Sequence, residues 1–131
     1  MKLSFYGGAG KVTGSNFLIE GTRGKILVDC GIEQGSDFAV EEVYGPFPYD
    51  VTSVDALVVT HAHLDHVGRI PKLVKDGFRG KIYMTPPTRD LAVLILLDSA
   101  HILTEEAERL GRAPLYSTED VEAAFALVET L

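Results

Sequence analysis

His61-Ala62-His63-Leu64-Asp65-His66 gathers three of the chain's four histidines and a carboxylate within six residues. Neutral imidazoles and carboxylates are the donors that zinc and similar divalent ions take. His61 and His63 are two apart, so in extended backbone their side chains leave the same side and can pinch one ion. Asp65 and His66 stand where the chain turns into a helix, and can face a second ion or the far side of the first. A catalytic zinc keeps an open position beside about three protein ligands. Two ions about 3.5–4 Å apart can hold both the attacking and the leaving oxygen of a displacement. Four donors in six residues suit half of such a site. A closed structural zinc would more often recruit cysteines, and Cys30 is the only one. The plain alternative is a histidine-rich surface loop. The spacing and the apolar run that leads into the cluster favour a metal site.

That run, residues 54–60, reads as a buried strand, and the cluster sits at its end. Upstream, residues 2–6, 15–20 and 25–30 read as strands punctuated by glycine. Residues 20–25 form the turn of a hairpin between the last two. Residues 36–44 suit a short helix that Gly45-Pro46-Phe47-Pro48 must end. Downstream, residues 65–76 read as one helix with Val67, Ile70, Leu73 and Val74 on its apolar face, Asp65 as N-cap and Gly77 as its stop. A strand at 81–84 precedes a long helix that opens at Thr85-Pro86-Pro87-Thr88 and runs to about Leu110. Ser117-Thr118-Glu119-Asp120 starts another. Strands first and helices later fit a mixed α/β layered fold.

Other residues compete poorly for chemistry. His101 lies mid-helix beside Asp98 and Ser99, and reads as a helix-face histidine bonded to its neighbours rather than as a ligand. Cys30 reads as a small buried hydrophobe. Gly7-Gly8-Ala9-Gly10-Lys11-Val12-Thr13-Gly14 matches neither phosphate-loop template, because no Ser or Thr directly follows the lysine with the required glycine spacing and Thr13 stands where a dinucleotide fingerprint needs glycine. Turns between strands account for these glycines, although their amides could line a cleft. Asp29, ending an apolar strand, is either a turn residue or a carboxylate that needs a polar partner.

The chain has 131 residues and a net charge of −7 from 12 basic and 19 acidic residues. One domain is expected from that length. The acidic balance argues against broad binding of a nucleic-acid backbone by this chain's own surface. It leaves room for a nucleic acid held through metal ions or by another domain. A single cysteine excludes an internal disulfide and suits a reducing compartment. The N-terminus has no apolar signal core, and the longest apolar run, residues 91–97, is too short to span a bilayer. A cytoplasmic protein without a membrane segment is the expectation.

Together these residues resemble the metallo-β-lactamase superfamily, whose signature is H-x-H-x-D-H, and more narrowly its β-CASP branch of RNA-processing nucleases. The closer likeness lies in residues 7–15 (GGAGKVTGS), 25–35 (KILVDCGIEQG), 60–73 (THAHLDHVGRIPKL) and 85–102 (TPPTRDLAVLILLDSAHI), with 115–121 also similar. The resemblance implies an αββα four-layer sandwich, of which residues 1–131 would be the first half: one β-sheet with its covering helices. It implies two zinc ions, with manganese as an alternative. His61 and His63 would hold the first ion, and Asp65 and His66 the second. Asp65 and His66 would also be catalytic, and Asp29 would orient the metal loop from beneath by hydrogen bonding.

In the family a further histidine, a bridging aspartate and a last histidine follow, and none has a counterpart before Leu131. The expectation is therefore a part of a metal-dependent ribonuclease that hydrolyses RNA phosphodiester bonds, inactive by itself. It would self-associate through an exposed sheet edge or apolar face. The alternatives are a hydrolase of small esters or thioesters, which GGAGKVTGS and DSAHI speak against, and a non-catalytic module that binds a partner or a metal.

Overall fold

A computed structural model describes residues 1–34 and 42–131. Six strands, β1 (Lys2–Gly7), β2 (Asn16–Glu20), β3 (Lys25–Val28), β4 (Ala56–Val58), β5 (Lys81–Met84) and β6 (Val128–Thr130), form one sheet in that spatial order. The first two pairings are antiparallel and the last three parallel. The β2–β3 hairpin closes with Gly21 N–H donating to the Gly24 carbonyl at 2.9 Å, at the turn expected from its glycines. Parallel neighbours need crossovers. The helices α1 (Leu64–Val67) and α2 (Ile70–Lys75) carry the chain from β4 to β5, and α3 (Pro86–Leu110) and α4 (Thr118–Phe125) carry it from β5 to β6. β6 was not anticipated, since three residues are too short to show a period.

The register sorts the sheet into two faces. Leu18, Leu27, Leu57 and Ile82 point one way and are at most 2 % exposed. They meet Val67, Leu73, Leu96, Ala100, Tyr116 and Val121 in one core cluster. Each large aliphatic side chain so buried contributes about 1.5–3 kcal/mol. Leu3, Phe5, Phe17, Ile19, Ile26 and Val28 point the other way. On that side Leu3, Phe5 and Ile26 remain 50 %, 59 % and 41 % exposed. The helices therefore cover one face of an apolar sheet.

Long-helix signals act as expected. Thr85 caps α3, its hydroxyl accepting from Thr88 N–H, and Gly111 ends it in left-handed conformation. Ser117 and Asp120 form a reciprocal capping box on α4. Ser99 and Tyr116 share a buried hydroxyl–hydroxyl bond of 2.9 Å that ties α3 to the segment before α4.

The single helix expected over 65–76 is instead two, broken at Gly68 and Arg69. Pro71 explains the break. In a continuous helix it would lack a hydrogen to donate, and its ring would press on the carbonyl of Val67. Arg69 N–H turns away to the Cys30 carbonyl at 2.9 Å. The N-cap is His63 rather than Asp65, which lies in the first turn of α1. The helix expected over 36–44 lies mostly outside the described residues, although 42–44 are helical. Among the described residues, no helix is long and apolar enough to cross a membrane.

Candidate metal centre

β3 and β4 run parallel, so their carboxyl ends lie side by side, and the chain leaves them through Asp29 and Thr60. The amide of Asp29 donates to the Val58 carbonyl at 2.9 Å, which carries the ladder one residue past the strand. Asp29 then turns left-handed, with φ of 59°, a conformation that Asp tolerates better than most residues. This turn aims its 2 %-exposed side chain under the histidine loop. There Oδ1 accepts from Thr60 N–H, and Oδ2 accepts from Thr60 Oγ1 and His66 Nδ1, each at 2.8 Å. Hydrogen bonds to a charged group stabilise by about 1.5–3 kcal/mol each. Left-handed backbone at a non-glycine residue costs on the order of 1–3 kcal/mol. Three such bonds outweigh it. Asn16, itself buried, donates from Nδ2 to the Asp29 carbonyl at 3.1 Å and accepts from the Tyr49 hydroxyl at 3.0 Å, fixing the turn from the β2 side.

The histidines fold around this carboxylate. His63 caps α1 in extended conformation, and its carbonyl accepts from His66 N–H at 2.8 Å and Val67 N–H at 3.0 Å. That one tight turn brings His66 back beneath His61, their ring centroids 4.0 Å apart; His63 lies edge-on to His61 at 4.7 Å. His66 Nε2 lies 3.3 Å from Asp65 Oδ2. His61 Nδ1 meets Thr60 Oγ1 at 3.0 Å.

All four cluster residues and Asp29 are thus in one place. The donor chemistry, three imidazoles and a carboxylate, fits a divalent ion. Among the described residues, however, no three such side chains stand closed around a common point. Asp65 and His66 face each other instead.

His101 is exposed on the outer side of α3, and Ser99 beside it is engaged with Tyr116. Cys30 is fully buried, and burial pushes its thiol up to about 12, which suits a core residue.

Backbone contacts clamp the loop from two sides. Asp65 carbonyl accepts from Ser15 N–H, Ser15 carbonyl from Gly31 N–H, and His66 carbonyl from Cys30 N–H, at 2.8, 2.9 and 2.8 Å. Here the β1–β2 turn and the segment after β3 both grip α1, so the GGAGKVTGS stretch supports the site through its terminal serine. Sequence reasoning missed Thr60, Ser15 and Asn16. A hydroxyl directly before the first histidine was the available signal for Thr60. Asn16 stood out as an amide within an apolar strand.

Gly31 makes this clamp possible. A Cβ there would lie 1.6 Å from the Asp65 carbonyl oxygen and 2.7 Å from His66 N. Gly31→Ala is expected to destabilise by about 1–3 kcal/mol in urea unfolding, as overpacking does, and to shift the ring signals of His61 and His66. Gly21→Ala, whose Cβ meets only Gly24 O at an ordinary 3.6 Å, should stay within about 0.5 kcal/mol. Equal behaviour of the two variants would refute the clamp.

A family model described as the metallo-beta-lactamase superfamily matches residues 9–94. The ribonuclease TTHA0252 of Thermus thermophilus is 39% identical over 131 residues, which is 100% of this chain and 28% of that protein. The transcription termination factor FttA of Methanosarcina mazei is 40% identical over 111 residues, 84% of this chain and 17% of that protein. Among solved structures, the subclass B3 metallo-beta-lactamase MEM-A1 from a soil metagenome library aligns with a TM-score of 0.49 at 17% identity, covering 91% of this chain and 40% of that one. The chain spans less than a third of the length of the two curated relatives.

Proposed function

This chain belongs to the metallo-β-lactamase superfamily, and from that premise we propose that it carries ligands for the divalent metal ions of a hydrolase acting on RNA phosphodiester bonds. Relatives named as a ribonuclease and as a transcription termination factor favour the β-CASP branch and an RNA substrate. The observation that carries the metal reading is Asp29. A buried carboxylate that orients a histidine from behind, here with the other ring nitrogen 3.3 Å from the Asp65 carboxylate, is the usual support for a metal-ligating imidazole.

In this reading His61 and His63 hold one ion and Asp65 and His66 the other, with zinc as the metal and manganese as an alternative. When bound, such a pair acts as a Lewis acid toward phosphoryl oxygens and lowers the pKa of water. Asp29 keeps the His66 proton on Nδ1. Asp65 and His66, with Oδ2 and Nε2 3.3 Å apart, are the proposed catalytic pair. With a net charge of −7, the chain would meet the RNA backbone through the metal ions rather than through its own surface.

Cleavage of RNA by the full protein that carries this chain should require added zinc or manganese. It should fall by more than about 100-fold in His63→Ala, beyond the loss of an outer partner of a ligand. Equal activity in the variant would sink the proposal. The 131-residue chain alone should retain fewer than two zinc ions through gel filtration, because its donors are not closed around a common point. Two tightly held ions per chain would contradict this and imply donors from a neighbouring copy.

The exposed apolar sheet face suits a second copy of the chain. Sedimentation equilibrium should show a concentration-dependent dimer that Phe5→Lys abolishes, since Phe5 is the most exposed side chain of that face at 59 %. A monomer at every concentration would remove self-association from the reading.

A further inference from the structure

Thr60 holds no ligand position, yet its hydroxyl touches both Asp29 and His61, at 2.8 and 3.0 Å. We propose that Thr60 is a positioning residue that relays the acceptor character of Asp29 to His61, so that the buried carboxylate that holds the Nδ1 proton of His66 also sets the tautomer of His61.

A threonine hydroxyl has one hydrogen to give and lone pairs to receive with. A carboxylate oxygen only accepts. Asp29 Oδ2 therefore takes the Thr60 hydrogen, and what the hydroxyl turns toward His61 is a lone pair. An imidazole nitrogen without hydrogen would meet it lone pair to lone pair at 3.0 Å, which is repulsive. His61 Nδ1 must carry the proton, and its Nε2 is left bare. His66 carries its Nδ1 proton for a direct reason, because that nitrogen faces the same Oδ2 at 2.8 Å, while its Nε2 lies 3.3 Å from Asp65 Oδ2.

His61, whose ring centroid lies 4.0 Å from that of His66, thus presents an unprotonated Nε2. An unprotonated nitrogen is what a divalent ion requires. The relay is held in place from two directions. Thr60 N–H donates to Asp29 Oδ1 at 2.8 Å, which locks the two residues together, and the branched Cβ restricts the hydroxyl to few rotamers. The purpose assigned to the relay rests on the metal-ligand reading of His61, whereas the tautomer itself does not.

The test is a nitrogen-15 NMR measurement of the histidine ring signals in the metal-free chain, at a pH where the imidazoles are neutral. His61 and His66 should both be protonated on Nδ1. In Thr60→Val, close in shape but without the hydroxyl, His61 should shift toward the Nε2-protonated form while His66 stays as it was. Thr60→Ser should restore the original pattern. Zinc titration should show about 10–100-fold weaker binding in Thr60→Val, the usual cost of losing a partner behind a ligand, with recovery in Thr60→Ser.

His61 protonated on Nε2 in the unaltered chain would overturn the proposal without recourse to any variant. So would an unchanged His61 tautomer in a folded Thr60→Val. A tautomer shift with unaltered zinc affinity would uphold the relay and remove His61 from the proposed ligands.

Discussion

A buried carboxylate needs its hydrogen bonds, and at Asp29 that need organises the rest of the site. The side chain is 2 % exposed, and an ionised carboxylate in such a place is tolerated only when its oxygens are fully engaged. Thr60 and His66 supply three donors from a different segment of chain. They bind the end of β3 to the loop after β4 more firmly than strand pairing could, since the ladder between those strands is only three residues long. The left-handed backbone at Asp29 is the local concession that lets these bonds form.

Parallel strand order is the second requirement. Because β3 and β4 run the same way, both chains exit at one end of the sheet, where side groups from two crossovers can meet. The Pro71 break then frees Arg69 N–H to bond the segment that follows β3. Gly31 lets that segment lie against the Asp65 carbonyl with no side chain between. Backbone contacts from the β1–β2 turn and from the segment after β3 thus fix the polypeptide that carries the imidazoles.

The sheet is amphipathic in neither of its faces. One is sealed by four helices, and the other is lined with Leu3, Phe5 and Ile26 in substantial exposure. The chain spans less than a third of the length of these curated relatives. At the histidine cluster three imidazoles and a carboxylate come together, and among the described residues no three of them enclose a common point.

Much of this was legible in the residues alone. The six-residue cluster announces metal chemistry because few other purposes need three imidazoles and a carboxylate so close together. Thr85, Gly111 and Ser117 mark helix ends through local backbone chemistry, which acts over a few residues and so can be read from neighbours. A helix over 65–76 looked continuous because its apolar spacing was right, and the proline that interrupts it weighs more than the period does. Tertiary structure alone decided which partners meet. Asp29 and His66 are 37 residues apart, Asp29 and Thr60 are 31 apart, and nothing in the spacing of either pair foretells a 2.8 Å bond. Such contacts depend on the order and direction of strands, which only the packed sheet sets. The amino-acid sequence therefore determined which donors are available, and the parallel pairing of β3 with β4 decided which of them share one carboxylate.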